Sequence, residues 1–159
     1  MFIIGLFFTV ICSVEAQRIS ENAIGLRIGE SDGFGTEVNY QRAIFDNNRL
    51  EFGLGWRNGN GFNAFRLTGL YDWVWVIDGN FNWYAGFGAS LGTFSLDDDF
   101  GGGDDTNEFF LNAAGNIGIE YNFDFPLLLS LDFRPEIGLI NDIDDDLEFD
   151  IALGIRYQF

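Results

Sequence analysis

The sequence predicts an all-β chain, folded as a transmembrane, eight-stranded, antiparallel up-and-down β-barrel. Three observations predict it. Apolar and polar residues alternate with a period of two in one segment after another from residue 23 onward. The composition combines 19 Phe and 21 Gly with only two Pro. The last alternating segment runs to the final residue and ends on Phe159.

Composition narrows the class first. At 159 residues the chain has the size of one domain. Each glycine inside a helix costs about 1 kcal/mol, so this glycine content suits a twisted sheet. A formal charge of −17 would fit a disordered chain, but 47% hydrophobic and 18% aromatic residues have to be removed from water somewhere. Eight basic residues, all Arg, stand against 25 acids, which excludes nucleic-acid binding through clustered phosphate contacts.

Residues 1–16 read as a signal peptide. An apolar run from Phe2 to Ile11 precedes Val14-Glu15-Ala16, whose first and third residues suit signal-peptidase cleavage. The run is too short for a helical span, which needs about 20 apolar residues. Residues 17–159 then form the barrel domain. Cys12, the single cysteine, lies in the leader behind Ile11 rather than behind a small residue, which argues against lipidation.

Eight strands follow in order. The first, 23–30, sets Ile24, Leu26 and Ile28 against Gly25, Arg27 and Gly29. The second, 34–45, sets Val38, Tyr40 and Ile44 against Glu37, Asn39 and Gln41. In the third, 49–57, Leu50, Phe52, Leu54 and Trp56 oppose Glu51, Gly53, Gly55 and Arg57. In the fourth, 62–76, Phe65, Leu67, Tyr71, Trp73 and Trp75 oppose Arg66, Thr68 and Asp72. The fifth alternates Trp83, Ala85, Phe87 and Leu91 with Tyr84, Gly86, Gly88 and Ser90. The sixth alternates Leu111, Ile117, Ile119 and Tyr121 with Asn112, Asn116, Gly118 and Glu120. In the seventh, Leu127, Leu129, Leu131, Phe133 and Ile137 oppose Ser130, Asp132, Arg134 and Glu136, and Pro135 predicts a bulge because it has no N–H for the ladder. The eighth sets Phe149, Ile151, Leu153, Ile155 and Tyr157 against Asp150, Ala152, Gly154 and Arg156.

The connections differ in kind. Residues 46–48, 77–80 and 124–126 read as tight turns rich in Asn, Asp, Gly and Pro. Those at 31–33, 58–61, 95–107 and 140–147 read as the longer set, the last two acidic. Short turns at one end and longer loops at the other are the asymmetry of a membrane barrel.

Three features turn the apolar face outward, into lipid. The polar face mixes both charge signs with many glycines, as a narrow lumen requires, where small residues stand beside large ones. Its charges, Arg27, Glu51, Arg66, Asp72, Glu120, Asp132, Arg134, Glu136 and Arg156, read as a lumen ion-pair network. Tyr40, Tyr71, Trp73, Trp75, Trp83, Tyr84, Tyr121 and Tyr157 gather toward the tight-turn end, as interfacial belts do. Arg42, on the lipid side near that end, can snorkel. The chain closes on Gly154-Ile155-Arg156-Tyr157-Gln158-Phe159. That ending resembles the assembly signal of outer-membrane barrels in Gly154, Tyr157 and Phe159, with Ala152 standing where the family has a polar residue.

By size, strand count and connection pattern, residues 23–159 resemble the small eight-stranded outer-membrane family of OmpX and the OmpA membrane domain. The Phe/Gly content and the Ala-Gln at the cut are similar to such proteins from Bacteroidota. The resemblance implies residence in the outer membrane of a Gram-negative bacterium, contact with its lipid and with the barrel-assembly machinery, and loops facing outside.

Site chemistry is sparse. The absence of His excludes His-based triads, metal ligands and general bases. Asp132 and Glu136 lie two face-steps apart, about 14 Å, with Arg134 between them, which suits a network better than acid/base catalysis. Loop 97–108 places acids at positions one, three, nine and twelve of a calcium-type loop and Gly at six, but Gly101 at five lacks a ligand oxygen. A solvated acidic loop is the simpler reading, with weak divalent-cation binding as the alternative, and the same holds for 142–148. The expected function is therefore a non-enzymatic structural or surface-binding protein without cofactors. A narrow porin-like pore and a soluble barrel with an apolar ligand are the alternatives.

Overall fold

The computed structural model describes residues 19–29, 35–59, 61–96, 107–140 and 147–159. They form a closed barrel in which eight antiparallel strands each pair with their sequence neighbours and the first closes on the last. The strands are β1 Asn22–Gly29, β2 Thr36–Phe45, β3 Asn48–Gly59, β4 Phe62–Asp78, β5 Phe81–Leu96, β6 Asn107–Asn122, β7 Leu127–Ile140 and β8 Glu148–Gln158. The predicted signal peptide, the turn at 31–33, the calcium-type stretch 97–106 and the acidic run 142–146 lie outside the described residues.

Period-two alternation fixes which side chains point where. Leu26, Leu54, Leu67, Ile119, Leu131, Leu153 and Ile155 are all exposed on the outer wall, while Arg27, Thr68, Asp72, Glu120, Asp132 and Arg156 are buried inside. The barrel is thus inverted relative to a water-soluble one. Few apolar residues are buried; Leu70 and Val74 of β4, at lumen positions, are the largest aliphatic ones besides Leu128.

Two-residue hairpins join β2 to β3 at Asp46–Asn47 and β4 to β5 at Gly79–Asn80, with Gly79 at φ 53°. At the opposite end the expectation of a longer connection at 58–61 is corrected. Asn58 and Gly59 belong to β3 and pair with Asn63 and Phe62, because Gly61 at φ 83° permits a tight turn. The β2–β3 ladder stops at Glu37↔Gly55, and β6–β7 begins at Leu111↔Ile140. The four strands β3–β6 therefore rise past their neighbours at this loop-side end.

The bulge predicted at Pro135 is not found either. Ala114↔Glu136 and Ile117↔Phe133 keep one register on either side of it, and the ladder to β8 runs through Pro135↔Phe149. The missing N–H interrupts pairing with β6 only, where Gly115 leaves space: a Cβ there would lie 3.1 Å from the Pro135 ring. The register shift in this pair of strands falls instead between Leu111 and Asn112.

Candidate functional site

The candidate site is the barrel interior. Parity places its side chains, and glycines make room for them. The Glu37 carboxylate lies over Gly53, with Oε1 2.7 Å from where a Cβ would stand. The Tyr84 ring lies over Gly118 in the same way, and Arg156 over Gly154. Small residues beside large ones let a narrow lumen fill.

Five guanidinium groups each tie at least one pair of strands that are not neighbours. Arg27 of β1 meets Asp132 of β7 and Asp150 of β8, each at 2.5 Å. Arg49 of β3 reaches Glu120 of β6 at 2.6 Å and Asp72 of β4 at 3.5 Å. Arg66 of β4 reaches Glu136 of β7 at 3.4 Å. Arg134 of β7 spans to Glu37 of β2 at 3.0 Å and to Glu51 of β3, half-way round the barrel, at 3.1 Å. Arg156 of β8 lies 3.7 Å from Glu51 and donates to Asn39 and Ser130 at 2.5 and 2.6 Å.

Neutral side chains complete the web. Ser90 donates to Glu136 at 2.7 Å, Gln41 to Glu51 at 2.7 Å and Asn116 to Asp72 at 3.1 Å. Among the described residues the buried charges are five Arg and seven carboxylates. At the tight-turn end lies a cavity of about 10 Å³, lined in part by Ile19, Ser20, Arg49 and Glu120, which is room for roughly one water.

All nine residues of the expected lumen ion-pair network stand inside this web. It also holds Arg49, Glu37, Asp150 and Tyr84. Tyr84 corrects an expectation: it is fully buried in the lumen, with the Arg49 guanidinium 4.5 Å over its ring, and takes no part in the outer aromatic belt. Trp75 and Trp83 do stack on the outside, with ring centroids 4.4 Å apart. Arg57 takes lumen parity but is exposed at the loop-side rim. Arg42 is exposed near the other rim, 3.0 Å from the Asn22 side-chain oxygen. The three residues of the expected C-terminal signal, Gly154, Tyr157 and Phe159, lie on β8 and just past it. Tyr157 and Phe159 face outward, and the Phe159 backbone exchanges two hydrogen bonds with Asn22, of 2.9 and 3.1 Å.

A small closed barrel, apolar outside and charged within, has the architecture of small outer-membrane β-barrels. Solved structures give that class particular members to compare. The chain is similar to the N-terminal barrel domain of Pseudomonas aeruginosa OprF, at a TM-score of 0.66 and 12% identity over 89% of this chain and 100% of that one. It is similar to Ail, the attachment invasion locus protein of Yersinia pestis, at 0.61 and 16% identity over 88% and 97%. Neisserial surface protein A follows at 0.59 and 16% identity over 87% and 94%. At these identities the likeness is one of fold. No protein-family model matches the sequence. No curated protein matches it in sequence.

Proposed function

We propose that this chain is an integral outer-membrane protein of a Gram-negative bacterium, a non-enzymatic barrel that anchors acidic surface loops and acts as a structural or surface-binding protein. The observation that carries the reading is the Arg134 span from β7 to Glu51 on β3, which crosses the whole lumen at 3.1 Å with both groups buried. Ties of this kind fill an eight-stranded barrel with side chains instead of leaving a channel. The polarity of the barrel supports tight turns in the periplasm and loops outside. In this reading residues 1–16 are removed on export, the barrel-assembly machinery reads Gly154, Tyr157 and Phe159, no cofactor is held, and the acidic loops attract divalent cations weakly.

A narrow pore for ions or small solutes is the second reading. It is favoured by buried Thr68 Oγ1, Asn112 Oδ1 and Asn116 Oδ1, which have no hydrogen-bond partner among the described residues and suit a wet lumen. Planar-bilayer recordings of the refolded protein separate the two. The filled lumen gives no steady conductance at neutral pH; regular ohmic steps would replace it with the pore.

A further inference from the structure

The mostly apolar outer wall carries one basic side chain at an outward strand position among the described residues, Arg42 of β2. A guanidinium on a lipid-facing wall costs least where it reaches the headgroup level. Arg42 stands on the tight-turn side, paired across the strands with Asn22, the first residue of β1, whose backbone is bonded to Phe159. The Asn22 side-chain oxygen accepts from Tyr40 Oη at 2.7 Å and from Arg42 Nη1 at 3.0 Å, so one acceptor holds both side chains in place. Glu21 lies 3.8 Å from Arg42 Nη2, too far for a hydrogen bond. Both side chains are open to the surroundings, Arg42 at 54% and Glu21 at 75% exposure.

The two charges stand side by side without satisfying each other. An exposed pair of this kind contributes little by itself, so a ligand that contacts both groups displaces little. The guanidinium keeps N–H donors beyond the one given to Asn22, and their fork suits phosphate oxygens. The Glu21 carboxylate accepts hydrogen bonds from an ammonium group. Next to the pair, Ile24 and Leu26 of β1 and Phe52 of β3 are exposed, the apolar ground that an acyl chain covers. A headgroup with a phosphate and a terminal ammonium, carried on acyl chains, matches all three features. A purely anionic headgroup is repelled by Glu21, and a quaternary ammonium has no N–H to donate.

We propose that Arg42 and Glu21 form a headgroup site at the tight-turn rim for a phospholipid ending in a primary ammonium, with the phosphate on Arg42 and the ammonium on Glu21. This rests on the outer-membrane reading above. The test uses the full mature chain folded in detergent micelles, with heat-modifiable gel mobility confirming the fold of each variant. Equal amounts of short-chain phosphatidylethanolamine and phosphatidylcholine are added, and native mass spectrometry reads which lipid stays bound. The ethanolamine lipid is retained about fivefold over the choline lipid, the scale of one exposed ion pair. Glu21→Gln abolishes that preference and leaves retention of the choline lipid as in the parent. Arg42→Gln lowers retention of both lipids by about fivefold, and Arg42→Lys recovers part of it. Should Arg42→Gln not fold, Tyr40→Phe, which removes one hold on Asn22, still lowers retention. Excess inorganic phosphate does not displace the lipid, since it brings neither ammonium nor acyl chain. Equal retention of the two lipids by the parent, a preference for phosphatidylglycerol, displacement by phosphate, or indifference to Arg42→Gln overturns the headgroup site while leaving the anchor reading intact. Failure to fold in micelles and to enter liposomes overturns both.

Discussion

Glu120 sits between Arg49, whose Nη1 donates at 2.6 Å, and Asn82, which donates at 3.2 Å. Removing one partner of a buried pair leaves an uncompensated charge, whereas removing both is often close to neutral. Glu120→Gln should therefore destabilise by about 3–5 kcal/mol if that level is dry and less if water enters. Asp124→Asn, in the exposed turn, should stay within about 0.5 kcal/mol. The pair Arg49→Met with Glu120→Leu should cost less than Glu120→Gln alone. Urea unfolding of the liposome-inserted protein, followed by tryptophan fluorescence, measures all three; equal costs for Glu120→Gln and Asp124→Asn would remove the network from the account. Arg49 itself was hard to see in the sequence. It opens the predicted strand 49–57 with the parity of Glu51, and its place directly after the Asp46–Asn48 turn signal hides it.

The strands carry the second set of expectations. Leu131 is exposed on β7 and pairs with Ile119 and Leu153, well inside the apolar band. Leu131→Arg should cost about 2–4 kcal/mol in a bilayer. Leu129 pairs with Tyr121 and lies one step from the Leu127↔Tyr157 pair, so Leu129→Arg falls nearer the rim and should cost less. Equal folding yields in liposomes for Leu131→Arg and the parent would mean the barrel is inside out. Just past β8, Phe159→Ser keeps the two backbone bonds to Asn22 and removes only the ring. It should lower outer-membrane levels in cells while leaving folding into liposomes nearly unchanged; normal cellular levels would count against the assembly signal. Strand number and facing were legible because parity is local. The behaviour of Pro135 was not, since it depends on Gly115 of the neighbouring strand. The tight β3–β4 turn was likewise hidden behind Asn58 and Gly59, which look like loop residues.

At the scale of the whole molecule, the inversion of the barrel was readable from sequence, but the pairing inside it was not. Parity says that Arg134 and Glu51 both face the lumen; the relative stagger of eight strands decides that they meet across it. Phe62, Phe94 and Phe110 interrupt the polar face near strand ends, where alternation is short and its signal weak. The account stands on one claim, that the apolar wall faces lipid and the charges face each other. Carbonate extraction of isolated outer membranes, read by heat-modifiable gel mobility, tests it most directly. The account predicts that the protein stays in the membrane pellet and shifts in mobility only after boiling. Release into the carbonate supernatant without detergent, as a water-soluble protein, would contradict it.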